Sequence, residues 1–288
     1  MIAHSGPTCQ NCRRARERAG DDADARVAGL GERGAGALGV AYHPARHHRR
    51  VSPDRNNPRD ERQPTLARPT RQYMPRMSSA PPAPSKPEIA LLEPFERLGL
   101  DRIRLVCSAA QAEQAAREMA GLLLLGFDTE SKPTFAKGEA SDGPHTVQLS
   151  TASQAWVFQL HDPGCRGRLA GLLESHPSLK VGFGLGDDLR RIQSKLGVET
   201  RGVVDLNTLF RRMGYRKDTG VKTAVAILFN RRFLKSGKTS TSNWAARQLT
   251  DAQLLYAAND AYAAARVFEA LSPAEQALSC TLVEFKAT

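Results

Sequence analysis

Cysteine is scarce in this chain of 288 residues: five residues, odd in number and widely scattered. That usage excludes a disulfide framework and fits a reducing compartment, so a cytoplasmic location is expected. Cys9 and Cys12 form a single CxxC, with His43, His47 and His48 far downstream. A zinc site there would lack a second ligand pair at finger spacing. Long apolar runs are also missing. The longest is short and runs directly into Asp128, which excludes a transmembrane helix. No apolar stretch follows "MIAHSGPTCQ", so no secretory signal is expected, and Asp21, Asp22 and Asp24 argue against an Arg-rich transit peptide.

Lysine is nearly absent from the first 86 residues, which hold 15 Arg and one Lys against 8 acidic residues. The remainder carries 25 basic and 22 acidic groups, so most of the formal charge of +11 belongs to the N-terminal stretch. Bulk basicity is therefore no argument that the folded part binds nucleic acid. The same stretch lacks periodic apolar residues, is rich in Pro, Gly and Arg, and ends in the linker-like "MSSAPPAPSKPE". Such a composition buries too little surface to offset ordering entropy, so residues 1–86 are expected to be a disordered basic tail and linker. Two readings stand for it: an over-extended gene start ahead of Met74 or Met77, or a basic arm that tethers nucleic acid.

From residue 87 to 288 the pattern is globular and reads as one domain. "RIRLVCS" predicts a strand and "AAQAEQAAREMAG" a helix. "LLLLGFDTE" is a nearly continuous apolar run ending in carboxylates, as for a central strand buried on both faces. "HTVQLSTASQAWVFQL" predicts a hairpin around "STASQ". A helix stopped by Pro177, the strand "KVGFG", a helix ending at Gly197 and the strand "VVDL" follow, and then mostly helices. Hairpin strands followed by a strand–helix–strand crossover imply an α/β domain with a mixed sheet.

Three acidic groups stand out. Asp128 and Glu130 are two apart on a strand, hence on one face, at the C-terminal end where open α/β sheets place ligands. The alternative puts Glu130 in the following loop and makes Asp128 a cap. In "VGFGLGDDLRRI", Leu185, Leu189, Ile192 and Leu196 define one helical stripe. Asp188 lies about 70° from its centre and Asp187 about 170° away, so Asp188 can meet the sheet while Asp187 faces solvent. Tyr256 and Asp260 are four apart on a helix and share a face. An isolated pair of this kind is also a common surface hydrogen bond. Oxygen ligands without a histidine cluster suit Mg²⁺ or Mn²⁺ rather than zinc.

The segments "FDTE", "VGFGLGDD" and "SNWAARQLTDAQLLYAANDAYAA" resemble the three exonuclease motifs of the DEDD superfamily, in the tyrosine-bearing branch that includes ribonuclease D and the Werner syndrome helicase exonuclease domain. The resemblance covers roughly residues 100–271. It implies a ribonuclease H-like fold with a mixed five-stranded sheet flanked by helices. It also implies a 3′–5′ exonuclease that binds two Mg²⁺ or Mn²⁺ ions through Asp128, Glu130, Asp188 and Asp260 and releases nucleoside 5′-monophosphates. Tyr256 would orient or help deprotonate the attacking water. Gly184 stands where ribonuclease D-type sequences usually have Asn, which leans toward the Werner-like group. The expected partner is DNA or RNA with a free 3′ end, with no membrane and no obligate protein partner. Lys235, Lys238 and Thr129 are candidate substrate contacts. Phe127 and Trp244 are candidates either for stacking on bases or for core packing. The competing class is a nucleic-acid-binding module that has lost catalysis; an intact set of four carboxylates and a tyrosine argues against it.

Overall fold

The computed structural model describes residues 82–134, 141–215 and 219–284, with side chains to 279. The readings placed on residues 1–81 and on Cys9 and Cys12 lie outside the described residues, whereas Ser85 and Lys86, at the end of the expected tail, form the cap and first residue of a helix. Helix α1 (Lys86–Leu91) opens the described chain behind a capping box in which Ser85 and Glu88 satisfy each other's backbone donors. Strand β1 (Ile103–Val106) leads to α2 (Ala109–Met119), capped by Ser108. Strand β2 (Leu124–Glu130) begins two residues later than the apolar run suggests, because Leu123 faces solvent. The hairpin of β3 (Thr146–Ser150) and β4 (Ala155–Gln159) closes as expected, with Ser150 opposite Ala155.

Crossovers build the other half. Helix α3 (Pro163–Ser175) starts on an Asp162 cap with Pro163 in its first turn. Strand β5 (Leu179–Gly182), helix α4 (Gly186–Leu196) and strand β6 (Val203–Asp205) follow. Then come the helices α5 (Leu206–Arg212), α6 (Val221–Phe229), α7 (Gly237–Ser240), α8 (Asp251–Ala270) and α9 (Pro273–Glu284). Among the described residues no helix is long and apolar enough to cross a membrane.

The sheet is mixed, in the order β1-β4-β3-β2-β5-β6, with β2, β3 and β4 antiparallel and the remaining pairs parallel. It has six strands where the family resemblance implies five. The "RIRLVCS" segment pairs its backbone with β4, so the outer edge of β4 does not remain an open row of donors and acceptors. Alternation along the strands feeds two cores. Leu125, Phe127, Trp156 and Phe158 enter the layer covered by α2, α3 and α4. Val157, Val181, Val204 and Tyr262 enter the layer covered by α6 and α8.

Helix α8 lies across β2, β3, β4 and β5, presenting the buried alanines Ala257, Ala258, Ala261 and Ala265. Its closest approach to β2 is at Gly126, where an added Cβ would sit 1.8 Å from the Ala261 carbonyl oxygen. Only glycine lets the two backbones come this near, and that approach brings the third motif onto the first.

Candidate active site

The C-terminal half of β2 alternates between the two layers, and this divides its residues by role. Asp128 and Glu130 face α8, opposite Gln148 and Thr146 of β3. Phe127 and Thr129 face the other way. From α8, Asp260 reaches the strand, and carboxylate oxygens of Asp128, Glu130 and Asp260 lie within 4.8 Å of one another. One turn earlier, Tyr256 stands beside Asp260 and near Ser240 of α7. Lys235 enters the same group, with its Nζ 2.6 Å from Asp260 and 5.2 Å from the centre of the Tyr256 ring.

Asp188 stands just outside that trio. It is half-buried at the start of α4 and accepts a short hydrogen bond from the Thr129 hydroxyl. Asp187 points away, its side chain 68% exposed and paired with Arg190. Asp188 thus faces the sheet and Asp187 the solvent, the orientations read from the helical stripe. The turn before α4 is held from β6, where the Asp205 carboxylate accepts from the backbone N–H of Gly184 and Leu185 and caps α5 through Asn207. Gly184 has φ +70°, a left-handed conformation that Gly and Asn both tolerate. The departure from Asn there therefore meets a backbone requirement and is not by itself a mark of substrate class.

Burial governs the electrostatics, and the neighbouring carboxyl groups add to it. Burial, then Asp260, pushes the Asp128 carboxyl well above its ordinary range, and Lys235 offsets part of this. Glu130 is pushed up to about 9 by burial, with Asp128 and Asp260 adding to it. Burial also raises Asp260, opposed by Lys235 and by Tyr256, and raises Asp188, opposed by the Thr129 hydroxyl. Burial alone would lower Lys235, but Asp260 and Asp128 hold it above its ordinary value. Buried carboxylates this close cannot all ionise without a cation. The donor set is all oxygen, as a hard divalent ion requires, so these residues fit such an ion.

The structure brings together Asp128, Glu130, Asp260, Tyr256 and Lys235, with Asp188 and Thr129 alongside. It corrects both aromatic candidates for base stacking. Phe127 is fully buried, because alternation sends it into the layer opposite Asp128. Trp244 is also fully buried; its Nε1–H donates to the Ser240 carbonyl at 3.2 Å and its ring lies 5.9 Å from that of Tyr256. Thr129 is buried and commits its hydroxyl to Asp188, so its side chain is not free for a strand. Lys238 is exposed on α7. Sequence reasoning missed Gln148, Ser240 and Asp205. The register Asp128↔Gln148 was the signal for Gln148, since directly opposed residues share a face.

Residues 103–274 match the family model described as 3′-5′ exonuclease. A 3′-5′ exonuclease of Arabidopsis thaliana is 30% identical over 165 residues, covering 57% of this chain and 57% of that protein. The bifunctional 3′-5′ exonuclease/ATP-dependent helicase WRN of Mus musculus is 25% identical over 150 residues, covering 51% of this chain and 11% of its own length. Trypanosoma brucei RNase D superposes with a TM-score of 0.55 at 20% identity, over 65% of this chain and 73% of that one. The match thus spans little more than half of the plant relative and a small part of the mouse one. With the ribonuclease H-like sheet and the carboxylate group in place, the chain belongs to the 3′-5′ exonuclease family, in the DEDD superfamily with ribonuclease D and the Werner-type exonucleases.

Proposed function

We propose that residues 87–288 form a metal-dependent 3′–5′ exonuclease that hydrolyses nucleic-acid phosphodiester bonds from the 3′ end and releases nucleoside 5′-monophosphates. The observation that carries this reading is the convergence of Asp128, Glu130 and Asp260 within 4.8 Å, with Tyr256 beside Asp260 one turn away on the same helix. Asp128, Glu130 and Asp260 would hold two Mg²⁺ or Mn²⁺ ions, with Asp188 completing the set from α4. When bound, such ions activate water and neutralise charge on the leaving 3′ oxygen.

The protein's own groups divide the remaining work. Tyr256, with its hydroxyl pushed up to about 12 by burial and Asp260, keeps its proton at neutral pH and acts by orienting the attacking water. Thr129 fixes the Asp188 carboxylate, and Lys235 holds Asp260 while presenting a positive charge toward the scissile phosphate. The Trp244 ring packs against that of Tyr256.

Digestion of end-labelled single-stranded DNA, single-stranded RNA and recessed duplexes tests the reading. Stepwise shortening from a free 3′ hydroxyl is expected with Mg²⁺ or Mn²⁺ and none in excess EDTA. A chain beginning at Ser85, which keeps the α1 capping box, should show the same pattern. Activity that survives EDTA, or cuts in a closed circle, would show the assignment to be wrong.

A further inference from the structure

Next to the carboxylate group, and sharing Lys235 with it, lies a second feature. An open cavity of about 790 Å³ is bounded by α1, the start of α6 and the segment leading to α7. Among the described residues, the cationic side chains of Lys86, Lys222, Arg232 and Lys235 line it, over an apolar floor that includes Ile89 and Phe233, and no described acidic side chain does. Lys86 and Lys222 are exposed and make no ion pair among the described residues. The Arg232 Nη1 donates to the Ala90 carbonyl at 2.7 Å, while its Nε is buried with no acceptor among the described residues. Helix α6 also begins here on Gly220, which has no side chain to act as a cap, so the positive end of the helix dipole borders the cavity. Concentrated cations, an orphan guanidinium donor and an uncapped helix start together suit an anion with several oxygens.

Lys235 joins the cavity to the reaction centre, since its Nζ is 2.6 Å from Asp260, and the charge of Lys222 also acts on Asp260. We propose that this cavity binds backbone phosphate of the substrate strand on the 5′ side of the scissile bond. The assignment rests on the exonuclease reading above. A 3′-terminal nucleotide brings only the scissile phosphate, so every further phosphate in reach belongs to nucleotides upstream of it. The cavity then holds the strand that stays while the terminal nucleotide leaves, and the apolar floor accepts sugar or base edges.

The test uses the Lys86→Gln, Lys222→Gln double variant, two exposed positions whose change leaves the packed core alone, with Lys222→Glu as a second variant. Binding of a 5′-fluorescein ten-nucleotide single strand is followed by anisotropy in EDTA, so it is read without hydrolysis. Hydrolysis with Mg²⁺ is then compared for a dinucleotide, a trinucleotide and the decamer. For the double variant, decamer binding should weaken by about threefold or more. The slope of log affinity against log salt should fall by about 1.4, or about 0.7 for each phosphate that is no longer neutralised. The loss in kcat/KM should grow from dinucleotide to decamer. Equal loss at all lengths, or unchanged binding and salt slope, overturns the proposal. Displacement of the strand by millimolar inorganic phosphate with no length dependence assigns the cavity to free phosphate and also overturns it. Lysine-dependent binding without any hydrolysis would leave the cavity assignment standing and remove the exonuclease reading, so the two fail separately.

Discussion

Tyr256 carries its proton at neutral pH as any tyrosine does, and burial and the neighbouring Asp260 push its hydroxyl further up, to about 12. A group in that state orients water and donates a hydrogen bond, and it holds no ion. Tyr256→Phe should therefore lower turnover by about 10²–10⁴-fold and leave metal affinity nearly unchanged. Asp128→Ala should abolish turnover and weaken metal binding, because it removes a buried ligand charge. Single-turnover rates with metal titration separate the two; an equal drop in metal affinity in both variants would refute this division of roles. The adjacent aspartates give a sharper contrast. Asp187 is exposed and paired with Arg190, whereas Asp188 accepts from Thr129 beside the cluster. Asp187→Asn should behave like the parent protein and Asp188→Asn should lose activity. The reverse outcome would move the second motif by one residue.

At the scale of elements, the site depends on how closely α8 lies on β2. A Cβ on Gly126 would meet the Ala261 carbonyl oxygen at 1.8 Å, and neither backbone can yield without moving Asp260 away from Asp128. Gly126→Ala should destabilise the fold by about 1–3 kcal/mol, as overpacking does, and reduce turnover far more than that loss explains. Melting temperature and kcat on one preparation check this; normal turnover in a folded variant would mean the helix reaches the strand in some other way. The elements themselves were legible in the sequence, because each has its own period or cap: the apolar run into Asp128, the "STASQ" turn and the left-handed stop at Gly197. Spacing also separated Asp188 from Asp187. What spacing could not give was contact between elements. Lys235 read as a residue tracking a phosphate backbone, yet it pairs with Asp260 across the fold. Trp244 read as core more readily than as a stacking ring, and the position of α7 and α8 decides for core. The register that sets Gln148 opposite Asp128 is likewise a property of the pair of strands.

For the whole molecule, the formal charge of +11 is a poor guide to the active site, where the dominant fact is a cluster of buried carboxyl groups. Burial, then Asp128 and Asp260, pushes Glu130 from its ordinary 4.5 up to about 9, and Asp128 moves in the same direction. In the unfolded chain these carboxyls release their protons near their ordinary values, while in the folded protein they keep them to much higher pH. Their contribution to stability is therefore full below about pH 4.5 and is lost as pH rises toward 9 in the absence of a divalent ion. An ion that binds the deprotonated carboxylates of the folded protein must displace those protons, so its affinity rises through the same window. The increase in melting temperature caused by Mg²⁺ or Mn²⁺ should thus be small near pH 5 and grow steadily toward pH 9. Calorimetry in buffers of different ionisation enthalpy should show protons released on binding, fewer of them as pH rises. A metal-induced shift in melting temperature that is constant across this range would mean that the carboxylates are already ionised in the folded protein. The charge crowding inferred for the site would then be wrong.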